Sequence, residues 1–246
     1  MSETFSFTQI GVVHSCYQQK FGIPRQPGLI SAATARIELI PPFNRLDVLD
    51  GLEGFSHLWV HFIFHQCIQD NWKAKIRPPR LGGKKKVGIF ASRATHRPNP
   101  IGLSVVKIGN IYQEGNRVFI DIIGADLLDQ TPVVDLKPYL PYADAITDAQ
   151  GGFAPLPVVA KPVRFSDSAL VACDTYLKQT GRNIQLLATQ IIEQDPRPSY
   201  LWGTTGREHG NQIWDANIKW VAYDEYFEVQ AVEFVEVSQD EQKTDA

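Results

Sequence analysis

Four side chains suited to recognising anions and bases stand within seven residues: Arg93, His96, Arg97 and Asn99, in GIFASRATHRPNPIGLSVVK at 88–107. Arginine offers a planar fork for phosphate or a base edge, and asparagine can pair with an adenine-like edge through two hydrogen bonds. Pro98 and Pro100 restrict the backbone between them, so the donors are held at low entropic cost. A solvated structural loop is the plain alternative. A second polar set, GADLLDQTPVVDLK at 124–137, holds Asp126, Asp129 and Asp135. These carboxylates suit sugar hydroxyls, a cationic group or acid–base work, and equally the capping of a turn. Arg25 and Gln26, in IPRQPG at 23–28, form a third polar island.

His57, His61 and His65 are spaced by four. Their surroundings, HLWVHFIFHQ at 57–66, favour a strand, where residues four apart lie about 13 Å apart. Three such histidines cannot share one ion. They read instead as barrel-lining or ligand-contacting, His65 beside Gln66 above all. The sequence has no C-x-x-C or H-E-x-x-H, and no metal is expected. Neither G-x-G-x-x-G nor G-x-x-x-x-G-K-[ST] occurs, which argues against a Rossmann or P-loop nucleotide domain. Cys16, Cys67 and Cys173 are odd in number and far apart, as expected of reduced, packed thiols in a cytoplasmic protein.

The 246 residues are 43% hydrophobic and 21% charged, enough for a real core, and the net charge is −3. The charge is unevenly sorted. Residues 71–113 contain no Asp or Glu but hold Lys73, Lys75, Arg77, Arg80, Lys84, Lys85, Lys86, Arg93, Arg97 and Lys107. That is either a positive face for phosphate or a solvated basic loop. No apolar run reaches the roughly 20 residues of a membrane helix, and no secretory leader is visible.

The elements that must position these groups are mostly strands. Residues 6–13, 35–40, 57–66 and 87–92 read as strands, the last one short and buried. LSVVKIGNIY and RVFIDIIGA flank a turn at 113–116 and make a hairpin, and 131–142 is a final strand. Many short strands at close spacing predict a mainly β fold with a closed or nearly closed barrel over 1–145. A linker at 146–160 leads to a smaller α+β domain at 161–238, with helices over 165–179 and 183–194 and strands over 213–223 and 227–237. A disordered tail is expected at 239–246.

Taken together, IPRQPG, GLEGFSHLWVHFIFHQ at 51–66, RPPRLGG at 77–83, GIFASRATHRPNPIGLSVVK and DLLDQTPVVDLKPYLPYAD at 126–144 resemble the TsaA-like family of tRNA (adenine-N(6))-methyltransferases, as does EQDPRPSY at 193–200. The resemblance spans nearly the whole chain. It implies a β-barrel methyltransferase, neither Rossmann-type nor knotted, acting as a homodimer with S-adenosyl-L-methionine. The substrate would be threonylcarbamoyladenosine at position 37, beside the anticodon. Cofactor contacts carry over onto Arg25, Gln26, Pro27, His65, Gln66, Arg93, the Leu103 backbone, and Asp126, Leu127, Leu128 and Asp129. Lys84, Lys85, Lys86, Arg97 and Asn99 would hold the anticodon stem-loop of the tRNA. Asp135 and His96 are the candidate bases for the proton on the acceptor nitrogen. Two other classes compete: a non-catalytic RNA-binding barrel, and a small-molecule methyltransferase on the same scaffold.

Overall fold

The computed structural model describes residues 3–155 and 159–234. Its first half is a closed six-stranded barrel. The strands are β1 (Gly11–Ser15), β2 (Thr34–Leu39), β3 (His57–Ile63), β6 (Ile101–Glu114), β7 (Arg117–Ile123) and β8 (Pro132–Pro138), with a two-stranded ribbon β4 (Lys75–Ile76) and β5 (Val87–Gly88) between β3 and β6. Around the barrel the order is β1-β2-β7-β6-β3-β8, and Gly11 opposite Val133 closes the ring. Closure leaves no free sheet edge.

Alternation sets which face is which. In β3, Leu58, Val60 and Phe62 are buried, whereas His57, Trp59 and His61 take the other face. The expectation that these histidines line the barrel is therefore overturned: with a period of two, they share a face with Trp59 and not with the core. His65 lies beyond the strand, in a short 3-10 turn at His65–Cys67. The core itself comprises Val13, Ile37, Leu58, Val60, Val106, Val118, Ile120, Ile122 and Val133 with their neighbours. Each such side chain contributes about 1.5–3 kcal/mol. Gly102 is required inside this core, because a Cβ there would stand 2.3 Å from the Phe62 ring.

Two other predicted strands differ. The segment 6–13 enters the barrel only from Gly11, and Phe5 and Phe7 before it are exposed, with no sheet to cover them. VGIFAS is a two-residue ribbon followed by a 3-10 turn, and only Ile89 is buried while Phe90 is exposed. The predicted 113–116 turn is found between β6 and β7.

After a short helix α1 (Pro141–Asp144), the chain builds a second unit. Strand β9 (Val163–Phe165), helices α2 (Asp167–Thr180) and α3 (Ile184–Ile192), and strands β10 (Glu208–Ile213), β11 (Ala216–Ala222) and β12 (Phe227–Phe234) form a four-stranded sheet of order β10-β11-β12-β9 with two helices. Ser166 and Asn183 cap the helices by accepting from Ala169 N–H and Leu186 N–H. The pair of strands expected from 213 onward is thus a larger sheet. The expected strand 213–223 is β11, shortened at its start because Trp214, at φ +52, turns the chain between β10 and β11. The tail at 239–246 lies outside the described residues.

The second core is not made by the second half alone. Cys16, Tyr17, Ile30 and Ala33 pack with Tyr176, Leu187, Ile191, Trp220 and Phe227. The backbone joins as well: Trp214 N–H donates to the Cys16 carbonyl at 2.9 Å, and Ala32 N–H to Gln190 Oε1 at 2.8 Å. Asn211, itself buried, donates to the Phe21 carbonyl and accepts from the Trp220 indole.

Candidate active site

The loop at 23–28 is fastened at its Gly28 end. Gly28 N–H donates to the Gly124 carbonyl at 2.8 Å, and a Cβ on Gly124 (φ +76) would come within 3.2 Å of the Gly28 Cα. The two loops therefore approach this closely because Gly124 carries no side chain. Gln26 in this loop accepts a hydrogen bond from the Arg93 guanidinium, which brings the first and third polar islands together.

Asp126 completes the group. Its Oδ1 accepts from Ser104 Oγ at 2.6 Å, and Ser104 is buried on β6. Burial pushes the Asp126 carboxyl up to about 6, while the Ser104 bond, its own backbone and the Arg93 charge pull the other way. A carboxyl poised near neutrality beside an arginine is a mark of a functional site. Nothing in the sequence singled out Ser104; a polar residue at a buried position of an apolar strand was the only available signal.

Asp129 has a different position. Its carboxylate accepts from Ser15 N–H at 2.8 Å and from Gln130, and its own N–H bonds the Tyr17 carbonyl. It holds the turn against β1. The side chains of Leu127 and Leu128 are buried, and their carbonyls accept from Ser15 Oγ and Thr131 Oγ1 at 2.7 Å each.

His65 and Gln66 follow β3 directly. Phe64 N–H donates to the Pro100 carbonyl at 2.7 Å, which ties them to the loop carrying Arg93, and Lys20 Nζ binds the Gln66 carbonyl at 2.6 Å. Arg97 closes that loop by donating to the Ser92 carbonyl at 2.8 Å. Leu103 is exposed, opposite His61 in register. Asp135 also faces His61 in register, one strand further on, and pairs with Lys137 and with Leu136 N–H. It makes no contact with Arg93 or Asp126 among the described hydrogen bonds and ion pairs.

Arg25 points toward the second unit. Its guanidinium donates to the Arg197 carbonyl at 3.3 Å and lies 5.0 Å from the centre of the Trp202 ring. Arg197 is buried, paired with Asp195 at 2.7 and 2.8 Å. Burial lowers the Arg25 pKa, opposed by the Asp195 charge. Arg25 Nη1 is buried and has no hydrogen-bond partner, a donor still to be satisfied.

A cleft of about 360 Å³ adjoins this rim. It is lined by Cys67, Trp72, Lys73, Lys75, Arg77, Lys86, His96 and Arg97, among others. Lys84 and Lys85 lie exposed beside it in sequence, and Asn99 is exposed with its carbonyl accepting from Ile101 N–H. No group of three or more His, Cys, Asp or Glu suited to a metal occurs among the described residues.

The fold and site thus define a closed antiparallel barrel whose loops gather an arginine, a desolvated carboxyl and a basic cleft at one rim. Residues 12–145 match the tRNA-methyltransferase O N-terminal domain, and residues 159–235 match the TrmO C-terminal domain. The chain is 42% identical to tRNA (adenine(37)-N6)-methyltransferase of Escherichia coli strain K12, over 94% of this chain and 98% of that protein. It is 45% identical to a Pseudomonas aeruginosa protein provisionally named S-adenosylmethionine-dependent methyltransferase RcsF, over 88% and 92%. A crystal structure of TrmO from P. aeruginosa superimposes with a TM-score of 0.79 at 38% identity, covering 95% of this chain and 99% of that one. The chain belongs to the tRNA-methyltransferase O family.

Proposed function

We propose that this protein transfers a methyl group from S-adenosyl-L-methionine to N(6) of threonylcarbamoyladenosine at position 37 of tRNA. The observation that carries the reading is the convergence of Arg93, Gln26, Asp126 and Ser104 at the barrel rim, in a chain with a relative named tRNA (adenine(37)-N6)-methyltransferase.

The residues fit such a cofactor. Arg93 supplies a fork for its carboxylate, Asp126 an acceptor for its ribose or amino group, and the unpaired Arg25 Nη1 a further donor. A Cβ at Gly28 would meet nothing within 4 Å, so the loop leaves room beside Gln26 and Pro27. His65, Gln66, the Leu103 backbone and the 126–129 turn complete the proposed cradle. When bound, the sulfonium supplies an electrophilic methyl. The protein contributes position and exclusion of water. Lys84, Lys85, Lys86, Arg97 and Asn99 hold the anticodon arm by phosphate and base contacts. The acceptor nitrogen also carries a proton. His96 lines the basic cleft and is the better-placed acceptor of the two expected, because Asp135 is engaged by Lys137.

The barrel over 1–145 is proposed as the cofactor-binding domain, joined through 146–160 to a C-terminal domain at 161–238. Three buried, free cysteines suit a reducing compartment, the cytoplasm. The homodimer is carried over from the family resemblance, and sedimentation of the purified protein checks it. The test of function is label transfer from S-adenosylmethionine to tRNA with and without the threonylcarbamoyl group. Label on the modified tRNA alone is the expected result; tRNA binding without label on either would make this an RNA-binding barrel.

A further inference from the structure

The cleft at 67–97 is chemically unlike an open phosphate track. Its walls combine Cys67, Ile76 and the half-exposed Trp72 ring with Lys73, Lys75, Arg77, Lys86 and Arg97. No carboxylate lines it, and among the described residues none of these five cations has a carboxylate within ion-pair distance. About 360 Å³ is within the range of a small-molecule site, about 300–1,000 Å³. It suits a small planar group that bears an anion.

The cleft also abuts the proposed cofactor rim through the chain itself. Cys67 directly follows His65 and Gln66, while His96 and Arg97 follow Arg93 in the loop that Arg97 closes onto Ser92. Its floor is fixed by the β4–β5 ribbon, with Ile89 N–H donating to the Ala74 carbonyl at 3.0 Å. A group bonded to the acceptor nitrogen must lie next to the transferred methyl, and this cleft is lined by the sequence neighbours of the proposed cofactor contacts His65, Gln66 and Arg93.

We infer that the cleft is the subsite for the carboxylate-bearing substituent on the target adenosine: Trp72 stacks on a planar face, and Lys75 and Arg77 bind the oxyanion. The assignment rests on the methyltransferase reading above. A backbone phosphate offers the same oxyanion chemistry, so the test separates the two sources.

Three anticodon stem-loop RNAs are titrated against the full chain: one with threonylcarbamoyladenosine, one with its threonine carboxyl amidated, and one with plain adenosine. Lys75→Ala/Arg77→Ala should weaken the first RNA roughly tenfold or more and leave the other two within about twofold. Trp72→Ala should weaken the carboxylate and amidated RNAs by about fivefold or more. Equal weakening of all three RNAs by the double variant would assign the cations to phosphate and overturn the proposal, as would unchanged binding. Wild-type methyl transfer is measured in parallel. No transfer to any RNA would sink the underlying methyltransferase reading, whereas normal transfer with indifferent cleft variants would sink the subsite alone.

Discussion

Ser104→Ala removes the side-chain hydrogen bond that restrains the Asp126 carboxylate. In the folded protein that carboxyl sits at about 6 against an ordinary 3.8, so holding its charge costs about 3 kcal/mol at neutral pH. The stability it contributes is full below the ordinary value and falls away as pH rises through about 6. Ser104 Oγ donates at 2.6 Å to the charged form, a bond worth about 1.5–3 kcal/mol, against about 0.5–1.5 kcal/mol when the carboxyl is neutral. Removing it should carry the Asp126 pKa upward by about one. The variant should lose about 1.5–3 kcal/mol relative to wild type at pH 8.5 and roughly 1 kcal/mol less than that at pH 5. Urea unfolding at the two pH values reads this directly. If methyl transfer needs the ionised carboxylate, the acid limb of its rate profile should move up by the same interval. An equal loss of stability at both pH values would refute the argument, because it would mean that Ser104 does not sense the Asp126 charge.

Other expectations follow from particular contacts. Gly102→Ala would drive a methyl into the Phe62 ring and should destabilise the barrel by about 1–3 kcal/mol, seen as a lower unfolding midpoint. Gly124→Ala must hold φ +76 and push against Gly28, costing about 1–2 kcal/mol; if the 23–28 loop is part of the cofactor site, calorimetric titration with S-adenosylmethionine should weaken too. Glu38 is held near 2 by a two-pronged bond from Arg117, at 2.6 Å for each prong, and by His14. Its contribution is present above about 4.5 and lost as pH falls through about 2. Arg117→Ala should therefore lower stability at pH 7 and leave little difference from wild type at pH 2, on acid titration followed by circular dichroism.

Strands whose faces differ in chemistry were readable. ARIELI and HLWVHFI alternate so regularly that β2 and β3 could be placed to within a few residues. Strand β10, EHGNQI, was missed because its buried members are Asn211 and Ile213, and a buried asparagine leaves no hydrophobic trace. Strand β9 has three residues and pairs in parallel with β12, which no local pattern announces. Within the site, Arg93 and Asp126 could be named from residue type, since loop charges near prolines and glycines are conspicuous, whereas Gln26 was singled out as a contact by the family resemblance. Their meeting could not, because 67 residues separate Gln26 from Arg93 and only the barrel closure brings them together. Trp72 and Arg77 lie in the basic window, yet the cleft they line depends on how the ribbon folds over the loop at 92–97.

Cys16 and Tyr17 enter the second core before the 23–28 loop, and Ile30 and Ala33 enter it after. The loop is thus a span whose two piers stand in the C-terminal unit, braced midway by Arg25 on Arg197 and Trp202. Free energy gained at the span is shared with the piers. A ligand gripping Arg25 to Pro27 would raise the resistance of the β10–β12 sheet to unfolding by RT ln(1 + [L]/Kd), although the sheet touches no ligand. By the same reciprocity, loosening the packing of Trp220 would slacken a loop on the barrel rim. Heat denaturation should register the two units as one cooperative body, and hydrogen exchange in β11 should slow when the rim is filled.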